Sequence, residues 1–416
     1  MTVACECAAN WRVELVELTT GEVLNVVTPI QFEFQTSFLE PGKGSISFHR
    51  KTVSGSGAVR AMQNVLDQFV PLQNMYPRRM GIYIQRLAGG AATPDAPVAM
   101  FAGIIESMDG EASGIITMGF TEIQSYLGYR TIRSDLVFSG VNQTLIGMNL
   151  VDYARQANTL GGSTDPLLPH GIQLYGASVA NAPVARDRTY LAADRQYLGQ
   201  VITQLIGVID GPVYRMSHVR SAGGIWQSTQ TFYDVIPQTV IKTVSWPDLT
   251  DFKVRYDGNA LGNLVDAFGE PAADGSVLIA TEDYSGLLFD IPRYDATPSY
   301  PTTSDPVELQ ENAQGYQRTH SDIAAIIPLY FSGLDYTQGL NVDDLVPGDQ
   351  VYLDIQTPEW RIEADASFLD NVTARFGSVS VSVPQEGAET VATQVTVLGV
   401  DNMTTADGFF YPCTDC

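Results

Sequence analysis

The chain has 416 residues, 44% of them apolar and 10% aromatic, with 47 acids against 23 Lys plus Arg and a formal charge of −24. The length exceeds what one hydrophobic core serves, with a prior of roughly three domains, and the aromatic content excludes a disordered chain. The charge argues against a nucleic-acid reader, which needs clustered cations, and no apolar run approaches the ~18 residues of a membrane span.

Residues 11–130 read mostly as strands. Trp11, Val13 and Leu15 alternate with Arg12 and Glu14, and Phe32/Phe34, Ile46/Phe48 and Ile82/Ile84 repeat the period of two. Thr20-Gly21-Glu22 and Glu40-Pro41-Gly42-Lys43-Gly44 supply turns between them. One helix is predicted within this all-β unit, over Gly57–Phe69, from the spacing of Val59, Met62, Val65, Leu66 and Phe69. The start of the chain lacks a basic segment followed by an apolar one, so no secretory signal is expected there, and first folding in a reducing cytosol is.

From residue 131 the pattern changes. A helix is predicted to start at Asn142-Gln143-Thr144, and a second over Asp194–Ile209, where Leu198, Val201, Ile202, Leu205, Ile206 and Ile209 form one apolar stripe. Asp210-Gly211-Pro212 ends it, and "PVYRM" and "QTFYDVI" read as strands. Residues 131–245 therefore read as an α+β section.

Trp246-Pro247-Asp248 opens a third section, 246–345, in which "LGNLVDAFGEPAADGSVLIATED" reads as strand, turn, strand and "DPVELQENAQGYQRTH" as helix. A fourth, 346–416, returns to alternation. The stretches 80–130 and 347–400 share a pattern of ribbon, turn, strand pair and closing strand without residue identity, which suggests two related barrels flanking two inserted units.

With "LEPGKGSISFHR" early, "LGNLVDAFGE" in the middle and "DDLVPGDQVYLDI" late, the chain resembles the minor tail proteins of long-tailed bacteriophages, most of all the baseplate or tail-tip hub proteins of siphophages. The resemblance covers most of residues 11–400 through order and short phrases, none of them an enzymatic signature. It implies a mainly β, α+β fold with two tube-type β-barrel domains, at 1–130 and 346–416, flanking inserted domains at 131–245 and 246–345. It further implies a homotrimer, in which six barrels adapt a sixfold tail tube to a threefold tip at the distal end of a virion tail assembled in the host cytoplasm. The implied partners are the distal tail protein, tip or receptor-binding proteins and the tape-measure protein, with DNA passing through the channel unbound. An acidic wall would repel that DNA, although solubility alone also accounts for the charge.

The candidate chemistry starts with the cysteines, Cys5-x-Cys7 and Cys413-x-x-Cys416, which are the only four in the chain. Four thiolates are the ligand count of a structural zinc or an iron–sulfur cluster. A disulfide formed after release and tails that coordinate nothing remain open beside the metal. His49, His170, His218 and His320 lie outside metal-ligand spacing, and HExxH, GxSxG, P-loop and dinucleotide motifs are absent. Glu359, Glu363 and Asp365 around Trp360 suggest a glycosidase pair, but on a strand they share one face, as solvated acids do. Asp343-Asp344…Asp349 lacks calcium-loop spacing. Tyr284, Tyr294, Tyr300, Tyr316 and Tyr330 suit protein contacts better than a glycan site. The expectation is a structural virion protein without a catalytic site; the alternatives are a carbohydrate-binding or cell-wall-degrading tail protein, and a hexameric distal tail or tube component.

Overall fold

The structure, a computed structural model, describes residues 11–27, 29–49, 77–86, 98–155, 171–234, 242–245, 249–253, 255–257, 261–271, 275–284, 292–301, 303–320, 324–332, 345–349, 351–356, 360–364, 374–384, 390–397 and 410–412. The predicted helix over Gly57–Phe69 lies outside them.

Most strands belong to one sheet. The first section contributes β1 (Trp11–Glu17), β2 (Val23–Val27), β3 (Gln31–Ser37), β4 (Lys43–His49), β5 (Met80–Arg86), β7 (Phe101–Gly110) and β8 (Ile115–Glu122). Later parts contribute β15 (Asp251–Phe252), β16 (Arg255–Asp257), β20 (Ala324–Ser332), β23 (Ala374–Val383) and β24 (Thr390–Val397). Their order is β15-β20-β24-β23-β3-β4-β8-β7-β5-β1-β2, with β16 also on β20, twelve strands in all. The seam is the antiparallel pair β23–β3, in which Val381 faces Phe34 and Ser380 faces Gln35.

The mainly β class agrees with the sequence, but the two predicted tube-type barrels are not separate bodies. The β23–β3 ladder makes one sheet of both, and among the described residues no sheet closes on itself. The reason is edge chemistry: β3 and β23 each present an unpaired row of N–H and C=O groups that the other satisfies.

Alternation places Phe32 and Phe34, Ile46 and Phe48, and Val379, Val381 and Val383 on one face. There they share a core with Trp11, Phe101 and Phe120. Trp11 meets Phe32 edge-on at 5.3 Å, and Phe101 lies 5.3 Å from both Phe34 and Phe120, pairs worth about 0.5–1.5 kcal/mol each beyond their burial. Gly44 is required beneath Phe120, because a Cβ there would stand 2.4 Å from the ring. The core is completed by Val244, Leu345, Val351 and Leu353. Three of these sit on or next to a second sheet of β14 (Lys242–Ser245), β21 (Val351–Gln356), β22 (Trp360–Ala364) and β25 (Phe410–Pro412). First and last sections thus bury one core together.

On the other face of the large sheet, the β1-β5-β7 end is covered by the α+β section. Val16, Leu18, Tyr83, Ala102 and Ile104 pack against α1 (Gln143–Arg155), α2 (Leu198–Gly207), β12 (Val213–Arg220) and β13 (Trp226–Tyr233). The last two strands share a sheet with β6 (Val98–Ala99) and β10 (Leu174–Val179), and a separate ribbon pairs β9 (Leu136–Asn142) with β11 (Ala185–Tyr190). The helix α1 starts where predicted, with the Asn142 side-chain oxygen accepting from the Thr144 N–H at 2.9 Å. The helix predicted over Asp194–Ile209 is shorter: Asp194 closes a 3-10 turn, Arg195 is left-handed at φ 52°, and Val208 is already extended. The apolar stripe carried no information on that break.

Within residues 246–345 the strand pair and helix read from the sequence form, as β17 (Leu264–Pro271) and β18 (Val277–Asp283) flanked by β19 (Asp295–Ala296) and covered on one face by α3 (Pro306–His320), while β15, β16 and β20 of the same stretch join the large sheet. Val265, Ala267, Ala280, Leu309 and Ala313 form its small core. Asp305 caps α3 by accepting from Val307 N–H at 2.8 Å, and Pro306 occupies the first helical position.

Candidate interaction surface

The remaining part of the large sheet's second face, across β24, β23, β3, β4 and β8, is open. Outward-pointing positions follow from the register: Ser380 faces Ala392 on one side and Gln35 on the other, Glu33 faces Ser45, and Ser45 faces Gly119. Next to them lie Ser382, Ser47, Thr117, Thr121 and Ser107. Every named position is a hydroxyl, an amide or a small residue, apart from Glu33 with its neighbour Lys43. The hydroxyls are partly satisfied among themselves, Ser47 and Thr117 at 2.9 Å and Ser45 donating to Glu33 at 3.3 Å. A concavity of about 500 Å³ spans this face from Ser107 and Gly119 to Ser380 and Ser382. Two acids, Glu33 and Glu106, line the concavity beside these hydroxyls.

Where the face ends, the sections are pinned together by buried polar groups. Glu14 is fully buried, with Arg12 at 2.5 Å, Arg220 at 3.3 Å and the Trp226 indole N–H donating at 2.6 Å. Trp226 stacks on Tyr83 at 4.7 Å, and Tyr83 and His218 both hydrogen-bond to the Ser228 hydroxyl, at 3.2 and 2.9 Å. Burial lowers His218 to about 3, so it is neutral, and raises Tyr83 to about 12. Close by, Glu122 accepts from the Gly42 N–H at 2.8 Å. Burial pushes its carboxyl up to about 7, against the pull of the Gly42 and Thr36 hydrogen bonds. Glu122 and His218 line a cavity of about 420 Å³ together with Tyr214, Arg86 and Leu345.

A second junction joins the α+β section to α3. Arg186 pairs with Glu311 at 2.6 Å while its other nitrogens donate to Gln143 and to the Ile209 carbonyl, and Arg188 reaches Glu308 at 3.4 Å and Glu311 at 3.3 Å. Burial lowers the pKa of Arg186, opposed by Glu311.

Of the residues singled out in the sequence, Cys5, Cys7, Cys413 and Cys416 lie outside the described residues, as do Asp343, Asp344, Glu359, Asp365 and His170. Among the described residues no group of three or more His, Cys, Asp or Glu side chains is placed to hold a metal ion. Glu363 sits on β22 opposite Asp354. Asp349 forms an ion pair with Arg215 that ties the fourth section to β12. Tyr316 stacks on His320 at 4.0 Å, Tyr294 is about half exposed, and Tyr330 lies on β20 under Lys253. Glu14 and Glu122 were not identifiable in the sequence as buried groups, because an acid alternating with apolar residues reads as solvated until something covers that face.

The tail protein from Neisseria meningitidis MC58 matches this structure with a TM-score of 0.54 at 10% identity, over 94% of this chain and 98% of that one. The chain has the fold of a tail protein. Two further structures resemble this tail-protein fold less closely: the 43 kDa tail protein of prophage MuSo2 from Shewanella oneidensis (TM-score 0.49, 10% identity, 93% and 97% covered) and prophage tail protein gp18 from Listeria monocytogenes EGD-e (0.47, 8%, 95% and 95%). In sequence, no protein-family model and no curated protein matches the chain.

Proposed function

We propose that the chain is a structural component of a phage tail, acting as a homotrimeric hub at the distal end of a long non-contractile tail, with the open face of its large sheet turned toward the channel. The observation that carries this reading is the β23–β3 seam, which makes one polypeptide supply two strand groups side by side to a single sheet. Three such chains offer six groups, the number a sixfold tube presents.

The hydroxyl-paved face suits passage of DNA. Binding of a phosphate backbone comes from clustered Lys and Arg with counterion release, and around Ser45, Thr117 and Ser380 the named cation is Lys43, next to Glu33. In this reading the chain positions its neighbours, the distal tail protein above and tip proteins below, and performs no catalysis. Native mass spectrometry of isolated tail tips tests the copy number: three copies of this chain are expected, and six copies sink the hub in favour of a tube component.

A further inference from the structure

The third section has one covered and one bare face. α3 covers Val265, Ala267 and Ala280, and Glu282 on the same side receives Gln310 and Gln314. The alternate residues point away from the helix. There Phe268 stands directly opposite Ile279, and Val277 follows across the bulge at Pro271. Ile279 is 53% exposed and Val277 40%. Among the described residues β18 also lies at the end of its sheet, so the apolar face reaches the sheet margin, and soluble proteins normally shield such patches.

The charge around this patch decides what shields it. Asp266 lies beside it, facing Thr281, whose hydroxyl donates to it at 2.6 Å; Asp283 and Asp295 flank Leu264 on either neighbouring strand. Among the described residues there, Arg293 is held by Asp295 at 2.6 Å. A second copy docking the same face would bring two acidic rims together, and the chain's overall charge of −24 makes its other surfaces poor complements. We propose that the outer face of β17 and β18 is a docking site for a different protein that presents an apolar centre within a Lys/Arg-bearing rim. This rests on the assignment to a tail assembly only for the choice of particle used below.

The test places p-benzoylphenylalanine at Ile279, and at the exposed Val137 on β9 as control, in the full chain made in cells that assemble the particle. Irradiation is expected to join position 279 to a second polypeptide through a peptide rich in Lys or Arg, with no equivalent product from 137. In parallel, Ile279→Asp is expected to lower recovery of that partner with the chain about tenfold, as ~1.4 kcal/mol of interface energy implies. Val137→Asp is expected to leave it unchanged. Crosslinking of 279 to another copy, to an acidic peptide, or no more than 137 overturns the proposal. Absence of the wild-type chain from purified tails instead refutes the tail assignment, since the crosslink is read in cells either way.

Discussion

The indole N–H of Trp226 donates to the carboxylate of Glu14 at 2.6 Å, with both side chains fully buried, joining residues 212 positions apart. Glu14 belongs to the first strand of the large sheet and Trp226 to the α+β section, so this bond fixes how the section lies on the sheet. Glu14→Ala leaves Arg12, Arg220 and the indole without their acceptor and is expected to cost about 3–5 kcal/mol. Trp226→Phe, which removes one donor and part of the ring, is expected to cost less, about 1–3 kcal/mol. Urea unfolding of both variants checks the order; equal stability of Glu14→Ala and wild type contradicts it.

Glu122 gives the fold a pH dependence of known sign. Its folded pKa of about 7 lies above the ordinary 4.5, so its contribution is fully present below about 4.5 and is lost as pH rises through 7. The loss is on the order of 3 kcal/mol at high pH. Glu122→Gln removes the titration, so the stability of wild type relative to the variant is expected to fall between pH 5 and 8.5, a comparison in which the His218 titration, common to both proteins, cancels. Parallel profiles for the two proteins argue against a buried carboxyl.

His218 acts in the opposite direction. Its folded pKa of about 3 lies below the ordinary 6.5, so the stability tied to the neutral ring is present above 6.5 and is lost as pH falls toward 3. His218→Asn, which keeps a polar partner for Ser228, is expected to unfold at lower pH than wild type in an acid titration followed by Trp fluorescence.

Arg186 holds α3 against the α+β section through Glu311, Gln143 and the Ile209 carbonyl. Arg186→Ala strands those partners, and a cost of about 3 kcal/mol is expected at this junction. Limited proteolysis should then cut around α3 at lower protease concentration. Gly315, where a Cβ would lie 2.1 Å from the Gly207 carbonyl, gives the independent check: Gly315→Val is expected to open the same junction without touching a charge.

Local structure was legible in the sequence wherever one signal acted alone. The Asn142 cap and the Asp305-Pro306 start of α3 fall where residue chemistry places them. Arg195 hides a break because nothing in an apolar stripe reports a left-handed residue upstream. The β23–β3 seam joins strands more than three hundred residues apart, and Ser380 or Gln35 carries no mark of its partner. Glu14 and Glu122 show the same limit from the other side, since their burial is made by a section that packs on top of them.

A reconstruction of an assembled tail tip tests the central claim most directly. The account predicts three copies of this chain around the axis, with Ser45, Thr117 and Ser380 facing the channel and the β23–β3 seam intact in each. Any other copy number, or a sheet that turns those hydroxyls outward, contradicts it.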